Sequence, residues 1–129
     1  MMKFTEVLLL TSMGFCHIVD DYYLQGWLAS AKQKQWWKNN APDPLYRKDY
    51  LMALFMHSFS WSFMITLPLT VYSMITGVTW HLCLFICNIL IHFITDNAKA
   101  NLKKINLIQD QLIHMMQIFT TWYLWLFVL

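Results

Sequence analysis

The chain has 129 residues, 58% of them hydrophobic and 12% charged, and its formal net charge at pH 7 is +2. Soluble domains carry about 25% charged residues, so this composition excludes an ordinary water-soluble surface. The three glycines and three prolines leave little turn chemistry for an all-β fold. The sequence therefore predicts one all-α domain, residues 1–129, as a polytopic integral membrane protein.

Four apolar stretches are long enough to cross the hydrocarbon core, which takes about 17–25 helical residues. They cover residues 4–28, 50–72, 80–98 and 107–129. Glu6 interrupts the run expected of a signal peptide, so the first stretch is predicted to remain as a membrane helix. Because the second and third connections are short, neighbouring helices are predicted to run antiparallel in one bundle. Residues 29–49 form the long polar connection.

Basic residues predict the orientation of the bundle, because in short loops they concentrate on the cytoplasmic side. They cluster in the first and third connections: Lys32, Lys34, Lys38, Arg47, Lys48, Lys99, Lys103 and Lys104. In a four-span bundle these two connections share one side. We therefore expect a location in the inner cell membrane, a cytoplasmic loop at 29–49, and both termini outside the cytoplasm.

Polar residues recur on one face of each predicted helix, although an ionisable residue at mid-membrane costs about 2.5–3.5 kcal/mol. Spacings of three and four residues place them on common faces. The sets are His17, Asp21 and Gln25; His57 beside Ser58 and Ser60; Asn88, His92, Asp96 and Lys99; and Asp110, His114 and Gln117. Such faces are expected to meet inside the bundle.

Chain direction predicts a common depth for these residues. In the first and third helices a histidine precedes an aspartate by four residues, whereas in the fourth helix the aspartate comes first. Antiparallel packing then places the aspartates about one turn, or roughly 5.4 Å, nearer the cytoplasm than the histidines. The histidine layer comprises His17, His92 and His114, with His57 close by, and the aspartate layer comprises Asp21, Asp96 and Asp110.

Imidazole and carboxylate groups in one layer are typical of a site for one divalent metal ion or for two, with zinc first and manganese or iron as alternatives. The candidate ligands are His17, Asp21, His57, His92, Asp96 and His114. The pattern leaves open which of them bind the ion and which orient a ligand. Asp110 is a candidate general base, and Lys99 a candidate contact for a substrate phosphate or carboxylate.

The segments HIVDDYYLQ (17–25), a helix-borne His57, HFITDNAK (92–99) and DQLIH (110–114) resemble a pattern of small bacterial and phage membrane proteins, the domain of unknown function 3307 family. The resemblance implies a shared fold and site, and it adds Gln25 and Gln111 to the candidate catalytic residues. It implies no particular reaction. The chain departs from the family pattern in its longer first connection, which is rich in Trp and Lys.

Three functions follow from the pattern. The first is a metal-dependent intramembrane hydrolase of a lipid-linked or membrane-embedded substrate, with membrane lipids as surroundings. The second is an ion or proton transporter using the His/Asp cluster. The third is a non-enzymatic phage or bacterial membrane factor, holin-like or an exclusion protein, in which the cluster only holds the bundle together. A homo-oligomer is compatible with each, and nothing indicates nucleic-acid binding.

Overall fold

A computed structural model describes residues 3–129 and is built from helices and their connections. Within this range the α-helices are α1 (Phe4–Ile18), α2 (Leu28–Ala31), α3 (Lys34–Asn40), α4 (Asp49–Thr76), α5 (Leu82–Ala100) and α6 (Leu107–Phe127). A π-helical turn, Val19–Leu24, continues α1, and a 3-10 turn, Pro44–Tyr46, precedes α4. The prediction of an all-α fold is confirmed. Residues 1 and 2 of the predicted domain lie outside the described residues.

The first predicted membrane helix, residues 4–28, ends earlier in the structure. Its helical turns stop at Leu24, and Gly26 has φ +48, a left-handed backbone conformation that glycine adopts readily. The predicted loop 29–49 also contains structure, because α2 and α3 lie within it or at its edge. The indole of Trp37 donates a hydrogen bond of 2.6 Å to the Ala31 carbonyl and joins the two short helices.

The four long helices are arranged in a ring. α4 packs between α1 and α5, and α6 packs between α5 and α1. The first and third connections meet at one end of the ring. There the Asn101 side chain donates a hydrogen bond of 3.0 Å to the Lys32 carbonyl and accepts one of 2.6 Å from the Lys34 backbone N–H. An apolar core lies away from these contacts; it consists of Leu9, Met13, Trp61, Ile65, Leu69, Ile118, Trp122 and Trp125.

Two helical stretches in the described part of the chain are long and apolar enough to cross a membrane. They are Pro44–Thr76 and Leu82–Ala100. The core helix of a soluble protein can meet the same criterion, so these two stretches alone do not define a four-span bundle. The distribution of side chains is a second observation that bears on a membrane location. More polar than apolar side chains are buried among residues 3–129, and many large apolar side chains are exposed.

Candidate metal centre

The π-helical turn after α1 brings two consecutive aspartates inside. The backbone N–H of Gln25 donates a hydrogen bond of 3.1 Å to the Asp20 carbonyl. This bond spans five residues instead of the four of an α-helix, which widens the turn. Asp20 and Asp21 are 1% and 7% exposed. On a regular helix Asp20 would point about 100° away from Asp21, which predicts a solvent-facing position with a supporting role at the site as the alternative; the solvent-facing prediction is wrong, because Asp20 is buried. Asp20 accepts 2.6 Å from the Ser60 hydroxyl, and its other oxygen lies 4.0 Å from Nδ1 of His57.

Four histidines from the four long helices lie together in the interior. His57, His92 and His114 are fully buried, and His17 is 1% exposed. The ring centroids of His57 and His92 are 5.0 Å apart, and those of His92 and His114 are 4.2 Å apart. The indole of Trp61 stacks on His92 with centroids 4.2 Å apart. The histidine rings are therefore held by packing as well as by polar contacts.

Two groups of buried side chains could hold a metal ion. One consists of Asp21, His57 and His92, and the other of His92, Asp96 and His114; within each group the candidate ligand atoms lie within 4.8 Å of one another. His92 belongs to both groups, so they form one continuous centre. These five residues are the part of the predicted ligand set that the structure brings to a metal-binding distance.

Asp96 links the two groups through both of its carboxylate oxygens. Oδ1 lies 3.6 Å from Nε2 of His92 and 3.4 Å from Nε2 of His114, and Oδ2 lies 3.3 Å from Nε2 of His57. These spacings are longer than the ~2.9 Å typical of N–H···O hydrogen bonds. Two ligand atoms of a tetrahedral zinc ion, each about 2.1 Å from the metal, are about 3.4 Å apart. The separations therefore fit ligands around an ion.

Unsatisfied polar atoms give a second sign that a cation fits. Nε2 of His114 and Oδ1 of Asp110 lie 3.4 Å apart, and among the described residues neither has a hydrogen-bond partner, although both are buried. Leaving such atoms unpaired costs about 1–3 kcal/mol each. When Nε2 of His114 is unprotonated, both atoms are acceptors: a cation would satisfy the histidine nitrogen, and a water molecule beside that cation would donate to Oδ1 of Asp110.

Two lysines contact the carboxylates from the end where the connections meet. Nζ of Lys32 lies 2.6 Å from Oδ2 of Asp96, and Nζ of Lys99 lies 2.6 Å from Oδ2 of Asp110. Lys99 was a predicted site residue, whereas Lys32 was assigned only to the basic connection. With neutral histidines, the four buried aspartates and these two lysines leave an excess of two negative charges. One divalent ion would balance that excess, as buried charges require.

His17, a predicted ligand, lies beside the two groups and outside both. Its Nδ1 accepts 2.8 Å from the Trp61 indole, which leaves Nε2 to donate 3.0 Å to Oε1 of Gln111. The Gln111 amide in turn donates to Oδ2 of Asp21 at 3.2 Å and to Oδ2 of Asp110 at 3.1 Å. His17 and Gln111 therefore orient two carboxylates. Trp61 was missed, although it follows His57 by four residues on the same face of α4.

The Trp61 hydrogen bond can be tested without removing the aromatic packing. Trp61→Phe keeps a ring against His92 but loses the donor to His17. Because outer contacts of this kind typically change metal affinity 10–100-fold, we expect zinc binding to weaken about tenfold. Competition with a chromophoric chelator measures the affinity. Trp122→Phe is the control, since its indole donates to the Glu6 carbonyl instead; equal effects of the two changes would show that the His17 contact is unimportant.

A polar chain leads from the centre toward the apolar core. His114 contacts Gln117 at 3.3 Å, Gln117 donates 3.2 Å to Asn88, and Asn88 donates 2.7 Å to Thr121. Beyond Thr121 lie the buried indoles of the core, one of which packs edge-on against His81 with centroids 5.3 Å apart. His81, expected to be an interfacial residue, precedes α5 outside the centre.

The remaining predicted residue, Gln25, lies at the edge of the centre and donates through its side-chain amide to the Asp21 carbonyl.

Comparison with known proteins finds no match for this chain among protein-family models, curated proteins or solved structures. The chemistry of the centre is therefore inferred from its own side chains: nitrogen and oxygen donors at ligand spacing, four buried aspartates, and two lysines at one end.

Proposed function

We propose that the protein is a four-span membrane hydrolase whose buried centre binds one divalent ion and acts on a lipid-linked or membrane-embedded substrate from the cytoplasmic side. The observation that carries the proposal is the joined pair of groups around His92 and Asp96, whose nitrogen and oxygen atoms lie at the spacing of metal ligands. Nitrogen and oxygen donors favour zinc, and manganese and iron accept the same donors. The likeness to the domain of unknown function 3307 family is part of this proposal.

The exposed apolar side chains of α1 and α6 support four membrane-spanning helices instead of two. α1 and α6 carry their polar residues on the inward face, which lowers the hydropathy of the whole helix. Their outward faces are apolar and exposed, with Leu8 at 50% and Phe15 at 66% on α1, and Leu112 at 59% and Met116 at 64% on α6. Soluble monomers rarely expose continuous apolar surface on this scale. Lipid around all four long helices accounts for it.

The orientation predicts which segments a membrane-impermeant thiol reagent reaches. Lys104→Cys, placed in the basic third connection, should be labelled only from the cytoplasmic side, because basic residues are retained there. Thr79→Cys, in the turn between α4 and α5, should be labelled only from the outside. Both changes are made in a chain whose three native cysteines are replaced by serine. Labelling of both positions from the same side would contradict the four-span arrangement.

The site supports hydrolysis by water. A bound ion of this class supplies an acidified water molecule as nucleophile. Oδ1 of Asp110 is buried and free of hydrogen bonds among the described residues, so it can accept a proton. Lys99 and Gln111 hold the other oxygen of the same carboxylate, at 2.6 and 3.1 Å, and fix its direction. Asp110 therefore has the geometry of a general base.

Proton or ion transport is the second candidate, and the polar chain from His114 to Thr121 favours it. Two protonated histidines would also balance the excess charge without a metal. The chain stops at the buried apolar core, which includes Leu69, Trp122 and Trp125, and this ranks transport below hydrolysis. Proton flux into liposomes that needs His114 but no metal would support transport.

The hydrolase proposal is tested with purified protein in nanodiscs that contain lipids bearing phosphate esters. Product release should require zinc, manganese or iron and should stop on chelation. Asp110→Asn should lower turnover at least about 100-fold, as expected for loss of a general base, while retaining bound metal. Unchanged turnover in Asp110→Asn would contradict the assigned role, and metal-independent turnover would contradict the proposal.

A further inference from the structure

A small polar pocket opens beside the candidate metal centre, at the end where the first and third connections meet. Its volume is about 300 Å³, and its lining includes three lysines and two glutamines: Lys32, Lys99, Lys103, Gln25 and Gln33. We propose that this pocket binds a phosphate group, which makes the substrate of the centre a phosphate-bearing molecule. The proposal names the substrate class of the proposed hydrolase and rests on that function.

Two of the lysines connect the pocket to the centre. Lys32 and Lys99 contact Asp96 and Asp110 at 2.6 Å, and their side chains remain 12% and 35% exposed. Both side chains therefore pair with a buried carboxylate and also line the pocket. A group bound among these lysines would lie next to the carboxylate that is assigned as general base.

The third lysine provides charge that no carboxylate neutralises. Within residues 3–129, Lys103 makes no ion pair. With Lys103 included, the four aspartates and three lysines carry one net negative charge without a metal and one net positive charge with a divalent ion. Like charges separated by about 4 Å near a surface repel by several kcal/mol. An anion should therefore bind the metal-free pocket more weakly than the metal-loaded one.

The volume of the pocket and its glutamine side chains favour binding of one phosphate group, not of a complete substrate molecule. Ligand pockets span roughly 300–1,000 Å³, so this pocket is at the small end and fits a headgroup. Gln25 lines the pocket, and its Oε1 has no hydrogen-bond partner in the described chain, so it can accept a hydrogen bond from a hydroxyl of the phosphate or of a neighbouring alcohol. Lysine clusters bind phosphate as point charges, and two sources supply that group at a membrane surface: a lipid headgroup or free phosphate.

The test is calorimetric titration of the purified protein in a neutral detergent, with and without bound zinc. The ligands are inorganic phosphate and dioctanoyl phosphatidic acid, with dioctanoylglycerol as the phosphate-free control. Zinc-loaded protein should bind phosphate at least about tenfold more tightly than chelated protein, since a change of 1.4 kcal/mol is tenfold. Lys103→Gln should weaken binding to zinc-loaded protein about tenfold, by loss of one close charge. Lys104→Gln, which changes a neighbouring lysine outside the pocket, should leave it unchanged.

Each outcome has a defined meaning. Tighter binding of phosphatidic acid than of inorganic phosphate supports a lipid headgroup, and equal affinities support free phosphate. Equal affinities of Lys103→Gln and Lys104→Gln would overturn the pocket proposal, as would binding of dioctanoylglycerol as tight as that of phosphatidic acid. If the protein takes up no metal, the proposed hydrolase fails separately; Lys103-dependent binding to metal-free protein would then still support the pocket, and its absence would overturn it.

Discussion

Zinc affinity should fall more than about 100-fold in His92→Ala, beyond the 10–100-fold typical of residues that only orient ligands. His92 belongs to both candidate ligand groups and is fully buried, so its loss removes a donor that no neighbour replaces. His17→Ala should weaken zinc binding by only about 10–100-fold, because His17 acts through Gln111. Competition with a chelator at constant pH measures both constants.

The matched control is His81→Ala, which removes a histidine packed against Trp125 outside the centre. Zinc affinity and activity should remain at the level of the unchanged protein. Circular dichroism of each variant in detergent establishes that the helices persist. Comparable losses at His92, His17 and His81 would indicate general destabilisation of the bundle and would contradict a localised metal centre.

Asp21→Asn and Asp96→Asn should have opposite effects on the stability of metal-free protein while both weaken metal binding. Within residues 3–129 Asp21 forms no ion pair with a lysine; its oxygens face His57 at 3.3 Å and Gln111 at 3.2 Å. Removing its charge reduces the repulsion among the carboxylates, and a gain of about 1 kcal/mol corresponds to roughly 4 °C in the unfolding midpoint. Asp96→Asn leaves the mostly buried Lys32 ammonium unpaired, which costs about 3 kcal/mol.

Tryptophan fluorescence during heating of chelated protein measures both midpoints. In the presence of zinc, each variant should gain less stability than the unchanged protein, because the stabilisation by a bound ligand rises with the logarithm of its affinity. If Asp21→Asn lowers the midpoint of metal-free protein, the excess negative charge is already balanced by protonated histidines. That result would favour the hydrogen-bonded bundle or the proton path over the metal centre.

Much of the architecture was predictable, because apolar stretches of spanning length and spacings of three and four residues are properties of the sequence itself. The order of His92 and Asp96, reversed in Asp110 and His114, indicated that these residues share a layer if the helices are antiparallel. Repeated i, i+4 spacing was therefore the informative signal, since it relates residues on different helices once the chain direction is known.

The missed features depend on backbone geometry and long-range contacts. A π-helical turn at 19–24 rotates Asp20 inward, and no residue type in this segment announces the extra residue per turn. Lys32 follows α2, which packs against α4, and reaches Asp96 from there; the composition of a basic connection does not reveal this contact. The role of His17 could not be predicted because it depends on Trp61. The Trp61 indole donates a hydrogen bond to Nδ1 of His17, and Nε2 donates to Gln111, so neither ring nitrogen has a lone pair free for a metal.

The central claim is that a divalent ion occupies the buried centre around His92 and Asp96. Elemental analysis combined with X-ray absorption of the purified protein tests it most directly. We predict about one zinc, manganese or iron per chain, with nitrogen and oxygen neighbours at about 2.0–2.2 Å and an imidazole signature. A clean, folded preparation without stoichiometric metal, whose unfolding midpoint is unchanged by any of the three ions, would contradict the account.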